Sequence, residues 1–364
     1  MTVPAAASIE QILPSVAAAL GVDGFDDTLG LPPAPRYVVM LVDGMGETLL
    51  RQHADVAPFL SSLPGVADVV SNVPSTTATS LTSLGTGLLP GVHGMVGYTS
   101  RNPATGRRMN SLKWDSSVDP LVWQPHQTVL ERVRRAGVPT SAVNASHFEN
   151  SGLTLCSQRG VPFHGISSSW ERLDVVLEVI EAAPRGLVYT YESRLDHIGH
   201  DKGCGSQEWL DVLATIDDDL QQMSEALDGD TALLVTADHG MLDLPMENRF
   251  DLDRWPHLRE DVVLVAGEAR FRHLYTRPGA ATHVAARWAE KLGDRAIVRT
   301  QAEAEEWFGP LDPQVRGRVG DVVVAALGDF AVFSSADFAV EMKMAGFHGS
   351  ITEAEMRIPV LVSR

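Results

Sequence analysis

The apolar positions of the chain alternate between short unbroken runs and longer stretches in which they recur every three or four residues. The run at 37–42 is apolar throughout, as expected of a strand buried on both faces within a parallel sheet. Further strands are predicted at 140–144, 186–191 and 232–236, and the helical spacing predicts helices at 127–135, 169–183 and 206–227. An amphipathic helix at 8–20 precedes them, ended by the proline-rich 31–35. Strand and helix alternating in this way predict an α/β fold around a mainly parallel central sheet.

Beyond Met241 the pattern changes. Strands at 272–276 and 296–300 and helices at 282–292 and 302–308 predict a small α+β unit, and 245–330 reads as an inserted cap or subdomain. The chain then returns to apolar runs at 322–326, 331–333 and 359–362. The expected division is a catalytic core of 1–244 and 331–364 interrupted by that insertion.

In an open α/β sheet, ligands collect at the carboxyl ends of the strands. Asp43 follows the first run, Asp196 and His200 follow the third, Asp238 and His239 follow the fourth, and His348 lies in a Gly-Phe-His-Gly stretch. Carboxylates and imidazoles are the usual ligands of zinc or manganese in hydrolytic sites. Each motif alone is weak: an aspartate at a strand end is often a cap or turn residue, and an i, i+4 Asp/His pair is often a solvated helix face. Their occurrence together and in order is the signal. The segment 72–80 adds five hydroxyls in a row of six, from Ser75 to Ser80. Such a segment suits a helix N-terminus, where it could also place amides beside a phosphate.

Composition narrows the classes. With 47 acidic against 29 basic side chains the formal charge is −18, which disfavours a nucleic-acid polymer or an anionic membrane as partner and leaves small phosphate esters open. The first 21 residues carry no Lys or Arg, and Glu10 interrupts their apolar stretch, so neither a signal peptide nor a membrane span is expected and a cytoplasmic location is. Cys156 and Cys204 form no CxxC pair and predict no disulfide framework. Oligomeric state leaves no trace in the sequence.

Taken together, these residues resemble the alkaline phosphatase superfamily, and most closely its nucleotide pyrophosphatase/phosphodiesterase (type I phosphodiesterase) family. The resemblance spans Tyr37 to about Gly240 and resumes near His348; the stretch Thr86-Gly87-Leu88-Leu89-Pro90-Gly91-Val92-His93-Gly94 is similar to the family's TGL-x-P-x-x-HG motif. It implies a three-layer α/β/α fold and places the family's nucleophile on Thr77, with Thr76 as fallback. It also implies two divalent metal ions, zinc first and manganese or iron as alternatives. Asp196, His200 and His348 would hold one of them, and Asp43, Asp238, His239 and the Thr77 oxygen the other. The activity implied is hydrolysis of a phosphodiester or pyrophosphate bond through a phospho-threonine intermediate. The family's Phe-Pro-Asn after the nucleophile is replaced by Ala78, Thr79 and Ser80, which leaves Ser80 as the candidate donor to a phosphate oxygen. The alternatives are a phosphomonoesterase, a phosphonate hydrolase of the same superfamily, and a metal-binding scaffold without catalysis. A monoester specialist would be expected to add a cation near the site, for which Arg194 is the nearest candidate.

Overall fold

A computed structural model describes residues 7–364; positions 1–6, on which part of the N-terminal reading falls, lie outside the described residues. Ten strands and four helices carry the argument. In chain order the strands are β1 (Arg36–Val42), β2 (Thr140–Ala145), β3 (Phe163–Ile166), β4 (Gly186–Glu192), β5 (Thr231–Thr236), β6 (Val262–Glu268), β7 (Phe271–Thr276), β8 (Ala296–Thr300), β9 (Val322–Ala326) and β10 (Val360–Ser363). The helices are α1 (Thr77–Thr86), α2 (Glu171–Glu181), α3 (Arg194–Lys202) and α4 (Gln207–Ala226).

The main sheet has the order β10-β5-β1-β4-β2-β3. Its five inner and far strands run parallel, and β10 alone is antiparallel, against β5. Every residue of β1 and of β5 is buried. Since successive side chains of a strand point to opposite faces, burial of all of them requires cover on both faces. The register Val42↔Glu192 and Leu41↔Thr236 brings the carboxyl ends of β4, β1 and β5 level, side by side.

A second sheet, ordered β6-β7-β9-β8, is antiparallel throughout. The run at 322–326 is therefore a central strand of this sheet, and Ala331–Phe333 pairs with Arg249–Asp251; neither rejoins the main sheet. The other departures are local. The 8–20 segment begins as a short strand and a 3-10 turn before its helix at Ile12–Ala19, and the 302–308 helix is limited to Glu305–Phe308. Strands β3 and β6 and helix α1 appear in addition to the predicted elements. No helix among the described residues is long and apolar enough to cross a membrane.

Candidate active site

Seven side chains singled out in the sequence converge at the level carboxyl ends of β4, β1 and β5. Asp43 is the residue after β1, and its amide donates to the carbonyl of Glu192 (2.9 Å). Asp196 and His200 project from α3, which follows β4, on one helix face with His200 Nε2 3.5 Å from Asp196 Oδ2. Asp238 and His239 follow β5. His348 arrives by a two-stranded ribbon, Gly346–Phe347 against Leu242–Asp243. Thr77 opens α1, after a Thr76 in extended conformation.

His239 is the centre of one group: its Nε2 lies 3.4 Å from Asp43 Oδ1, 3.3 Å from Asp238 Oδ2 and 3.2 Å from Thr77 Oγ1. The Thr77 hydroxyl is also 3.4 Å from Asp43 Oδ2. In the other group His348 Nε2 is 3.2 Å from His200 Nε2 and 3.7 Å from Asp196 Oδ1. The His239 and His348 rings stack at 3.7 Å and join the two groups. Both {Asp43, Asp238, His239} and {Asp196, His239, His348} offer ligand atoms within 4.8 Å of one another.

The three imidazoles are oriented by backbone carbonyls. His200 Nδ1 meets Gly346 O at 2.8 Å, His348 Nδ1 meets Ser75 O at 2.9 Å and His239 Nδ1 meets Gly240 O at 3.2 Å. A carbonyl only accepts, so Nδ1 donates in each ring and Nε2 is the nitrogen turned into the cluster. His200 and His348 Nε2 face each other at 3.2 Å, close enough to share a proton or a cation. Asp43 Oδ1, Asp196 Oδ1 and Asp238 Oδ2 are likewise buried without any hydrogen-bond partner.

Burial foremost, then the charges of Asp238 and Asp196, pushes the Asp43 carboxyl well above the ordinary carboxylate range. Burial also raises Asp238, with the Asp196 charge adding to it and His239 opposing, and raises Asp196 against the pull of His200 and His197. Burial, reinforced by His239 and His200, holds His348 far below the usual imidazole value. Three crowded carboxyls, beside a His239 and a His348 whose pKa values burial lowers, make a pocket poor in positive charge.

Ser80 is fully buried one turn into α1, with its Oγ 2.8 Å from Ser71 Oγ in a hydrogen bond that either hydroxyl can donate. Arg194 does not face the cluster as a free cation either: its guanidinium binds both Glu192 oxygens (2.9 and 2.8 Å) and Asp219 (3.3 Å). His93 is buried between Ser83 Oγ and the Met95 amide (2.8 and 3.1 Å). Trp114 and Trp123 pack edge to face, with Trp123 buried under Arg318.

Two site residues went unrecognised in the sequence. Tyr191, the penultimate residue of β4, donates its hydroxyl to Asp43 Oδ2; its place in the strand just ahead of the Asp196/His200 motif was a usable signal. Glu268, at the end of β6, accepts from the Tyr98 amide at 3.0 Å beside Gly349, a contact between distant segments that no local pattern encodes.

An uncharacterized pyrophosphatase/phosphodiesterase of Schizosaccharomyces pombe is 25% identical over 246 residues, covering 60% of this chain and 50% of the relative, so the chain spans about half the length of the curated relative it matches. Murine ectonucleotide pyrophosphatase/phosphodiesterase 5 superposes with a TM-score of 0.72 at 20% identity, covering 90% of this chain and 88% of that one. An inactive form of that murine protein in complex with AMP gives 0.71 at 19%, with 90% and 87% covered. The human counterpart gives 0.70 at 18%, again with 90% and 87% covered. The fold is accordingly alkaline-phosphatase-like, as the sequence resemblance implies. The family profile described as Type I phosphodiesterase / nucleotide pyrophosphatase matches residues 37–351, from the first core strand past His348, and the chain belongs to that family.

Proposed function

We propose that the protein is a metal-dependent phosphoric-ester hydrolase that cleaves phosphodiester or pyrophosphate bonds with Thr77 as its nucleophile. The observation that carries this reading is the pair of adjoining groups, with His239 Nε2 3.2 Å from the Thr77 hydroxyl and stacked on His348, in which three imidazole Nε2 atoms meet three carboxylate oxygens buried without a hydrogen-bond partner. Buried polar atoms left unsatisfied are costly, and a cation in each group answers this. The donor set therefore fits divalent metal. Asp196, His200 and His348 would hold one ion, and Asp43, Asp238, His239 and Thr77 the other. With zinc first and manganese or iron as alternatives, such ions supply positive charge to the attacking and departing oxygens of an in-line displacement.

The chain's own groups do the rest. The first-turn amides of α1, which have no intrahelical partner, orient the non-bridging phosphate oxygens. The Thr77 hydroxyl has a carboxylate acceptor for its proton in Asp43 Oδ2, 3.4 Å away. Thr77 Oγ1 forms the bond to phosphorus as the bond to the leaving oxygen breaks, and water then cleaves the phospho-threonine ester and restores the hydroxyl.

A diester is preferred to a monoester because the nearest candidate cation, Arg194, is neutralised by Glu192 and Asp219. A monoester carries about one more negative charge and needs such a partner. AMP, bound to the inactive murine relative, supports a nucleotide-containing ester as the substrate class. Segment 245–330 is read as a cap that adds walls to the pocket.

The test is steady-state turnover of p-nitrophenyl diester and monoester substrates together with metal analysis of the same samples. The diester should be turned over faster, and Thr77→Ala should lower kcat on the order of 10³-fold or more while keeping its metal. Undiminished turnover by Thr77→Ala, or a fully metallated wild-type protein inert toward both ester classes, would contradict the proposal.

A further inference from the structure

Away from the Asp, His and Thr cluster, the short helix Glu353–Met356 is where three site loops meet. The loop after β5 ends at Gly240, whose amide donates to the carbonyl of Glu355 (2.8 Å). The loop after β1 reaches Gly46, and both glycines are pressed against this helix. A Cβ on Gly240 would stand 2.0 Å from the Ala354 carbonyl oxygen, and one on Gly46 would stand 2.4 Å from the Gly240 Cα. The loop carrying His348 continues into Ser350, whose amide donates to Glu355 Oε1 (2.9 Å). Thr352 donates its hydroxyl to the other carboxylate oxygen.

The plane of the Glu355 carboxylate is set from elsewhere. Arg270, in the two-residue turn between β6 and β7 of the second sheet, binds it bidentately through Nε and Nη2 (2.7 and 2.6 Å). Both side chains are 0% exposed. The third guanidinium nitrogen donates to the Phe330 carbonyl, and the Arg270 carbonyl accepts from the Ala326 amide (2.9 Å). The guanidinium is thus fixed by the second sheet before it meets Glu355. A bidentate Arg–carboxylate pair fixes orientation as well as distance, which a point charge does not.

We propose that Arg270 and Glu355 are a positioning pair through which the second sheet sets the geometry of the metal-binding cluster, an inference that rests on the metal-dependent reading above. Glu355 governs both halves of the cluster at once: its carboxylate holds the residue two beyond His348, and its carbonyl holds the residue after His239. Those two imidazoles stack on each other at 3.7 Å, so a shift of Glu355 misplaces their Nε2 atoms together. Groups that orient ligands in this way are worth roughly 10–100-fold in metal affinity.

The experiment measures zinc stoichiometry and affinity by competition with a chromophoric chelator, with melting temperature and the kcat/KM split as companions. Two variants are used. Arg270→Lys keeps the buried charge and removes the bidentate fork; the double variant Arg270→Met with Glu355→Met removes both charges and leaves none unpaired. Leu220→Ala, a fully buried position of α4 in the main core, serves as a control that loses stability without touching the site loops. The expected result is a fall in zinc affinity of at least about 10-fold at both sites in the two variants, lower kcat, and a control that melts earlier but binds zinc as the wild type does. Wild-type zinc affinity in folded Arg270→Lys, or a loss of affinity in Leu220→Ala equal to that in Arg270→Lys, would reduce the pair to a stability device and overturn the proposal. If the wild-type protein binds none of zinc, manganese and iron, the metal-dependent reading fails, and this inference with it.

Discussion

At the scale of single residues, the site places a carboxyl where a charge is unwelcome. Glu268 is buried, its Oε2 takes the Tyr98 amide, and its Oε1 has no partner. Burial, opposed by the Tyr98 and Thr76 hydrogen bonds, pushes its pKa up to about 8. In the unfolded chain a glutamate titrates near 4.3. Below that value both states hold the proton; between it and about 8 only the folded state does, so the stability this residue contributes falls as pH rises through the window. Glu268→Gln, which keeps the shape and cannot ionise, should therefore melt close to the wild type at pH 5 and increasingly above it toward pH 9. Melting curves across that range check this, and a difference independent of pH would contradict it. The residues legible in the sequence were the ones with fixed chemistry at strand ends: Asp43, Asp196, His200, Asp238, His239 and His348 are brought together. Glu268, Arg270 and Glu355 were not legible, because their significance lies in partners 80 or more positions distant or in another sheet.

At the scale of elements, continuous apolar runs led to β1, β4 and β5, because strands buried on both faces leave an unbroken signature. The edge strand β6 was missed although its VVLVAG run is apolar; its pairing with β7 carries a register shift between Val262 and Leu264. Helix α1 was expected only as a helix start. Every one of its residues is buried, so it has no polar face to give a helical period, and its threonines are weak helix formers. What holds α1 is close packing on the helix Gly152–Ser157: a Cβ on Gly85 would stand 1.9 Å from the Ser157 carbonyl oxygen. Helix propensity alone would favour Gly85→Ala by about 1 kcal/mol. Overpacking against a backbone oxygen costs about 1–3 kcal/mol and should win. We expect the variant to unfold at lower urea and, since Thr77 opens the same helix, to lose kcat as well; a gain in stability would show that the two helices separate freely.

At the scale of the whole molecule, a chain of net charge −18 has gathered three of its carboxylates into one buried pocket, where among the described residues no Lys or Arg is ion-paired with Asp43, Asp196 or Asp238. That arrangement opposes folding when the pocket holds no cation, and favours it when one binds. Binding to the folded state alone stabilises by about 4 kcal/mol at a thousandfold excess over Kd. For a chain of this length that corresponds to a rise in melting temperature on the order of 10 °C, which chelation should abolish. The same reasoning predicts a crossing. Asp43→Asn removes one of the crowded charges while leaving an oxygen to accept from Tyr191, so in excess chelator the variant should melt above the wild type by a few degrees. In zinc the order should reverse, because the variant lacks a charged ligand and gains less from the ion. A purely structural Asp43 would make the substitution destabilising in both conditions by the same amount, so paired melts of the two proteins, with chelator and with zinc, separate a pocket built to take up cations from one built to hold the fold.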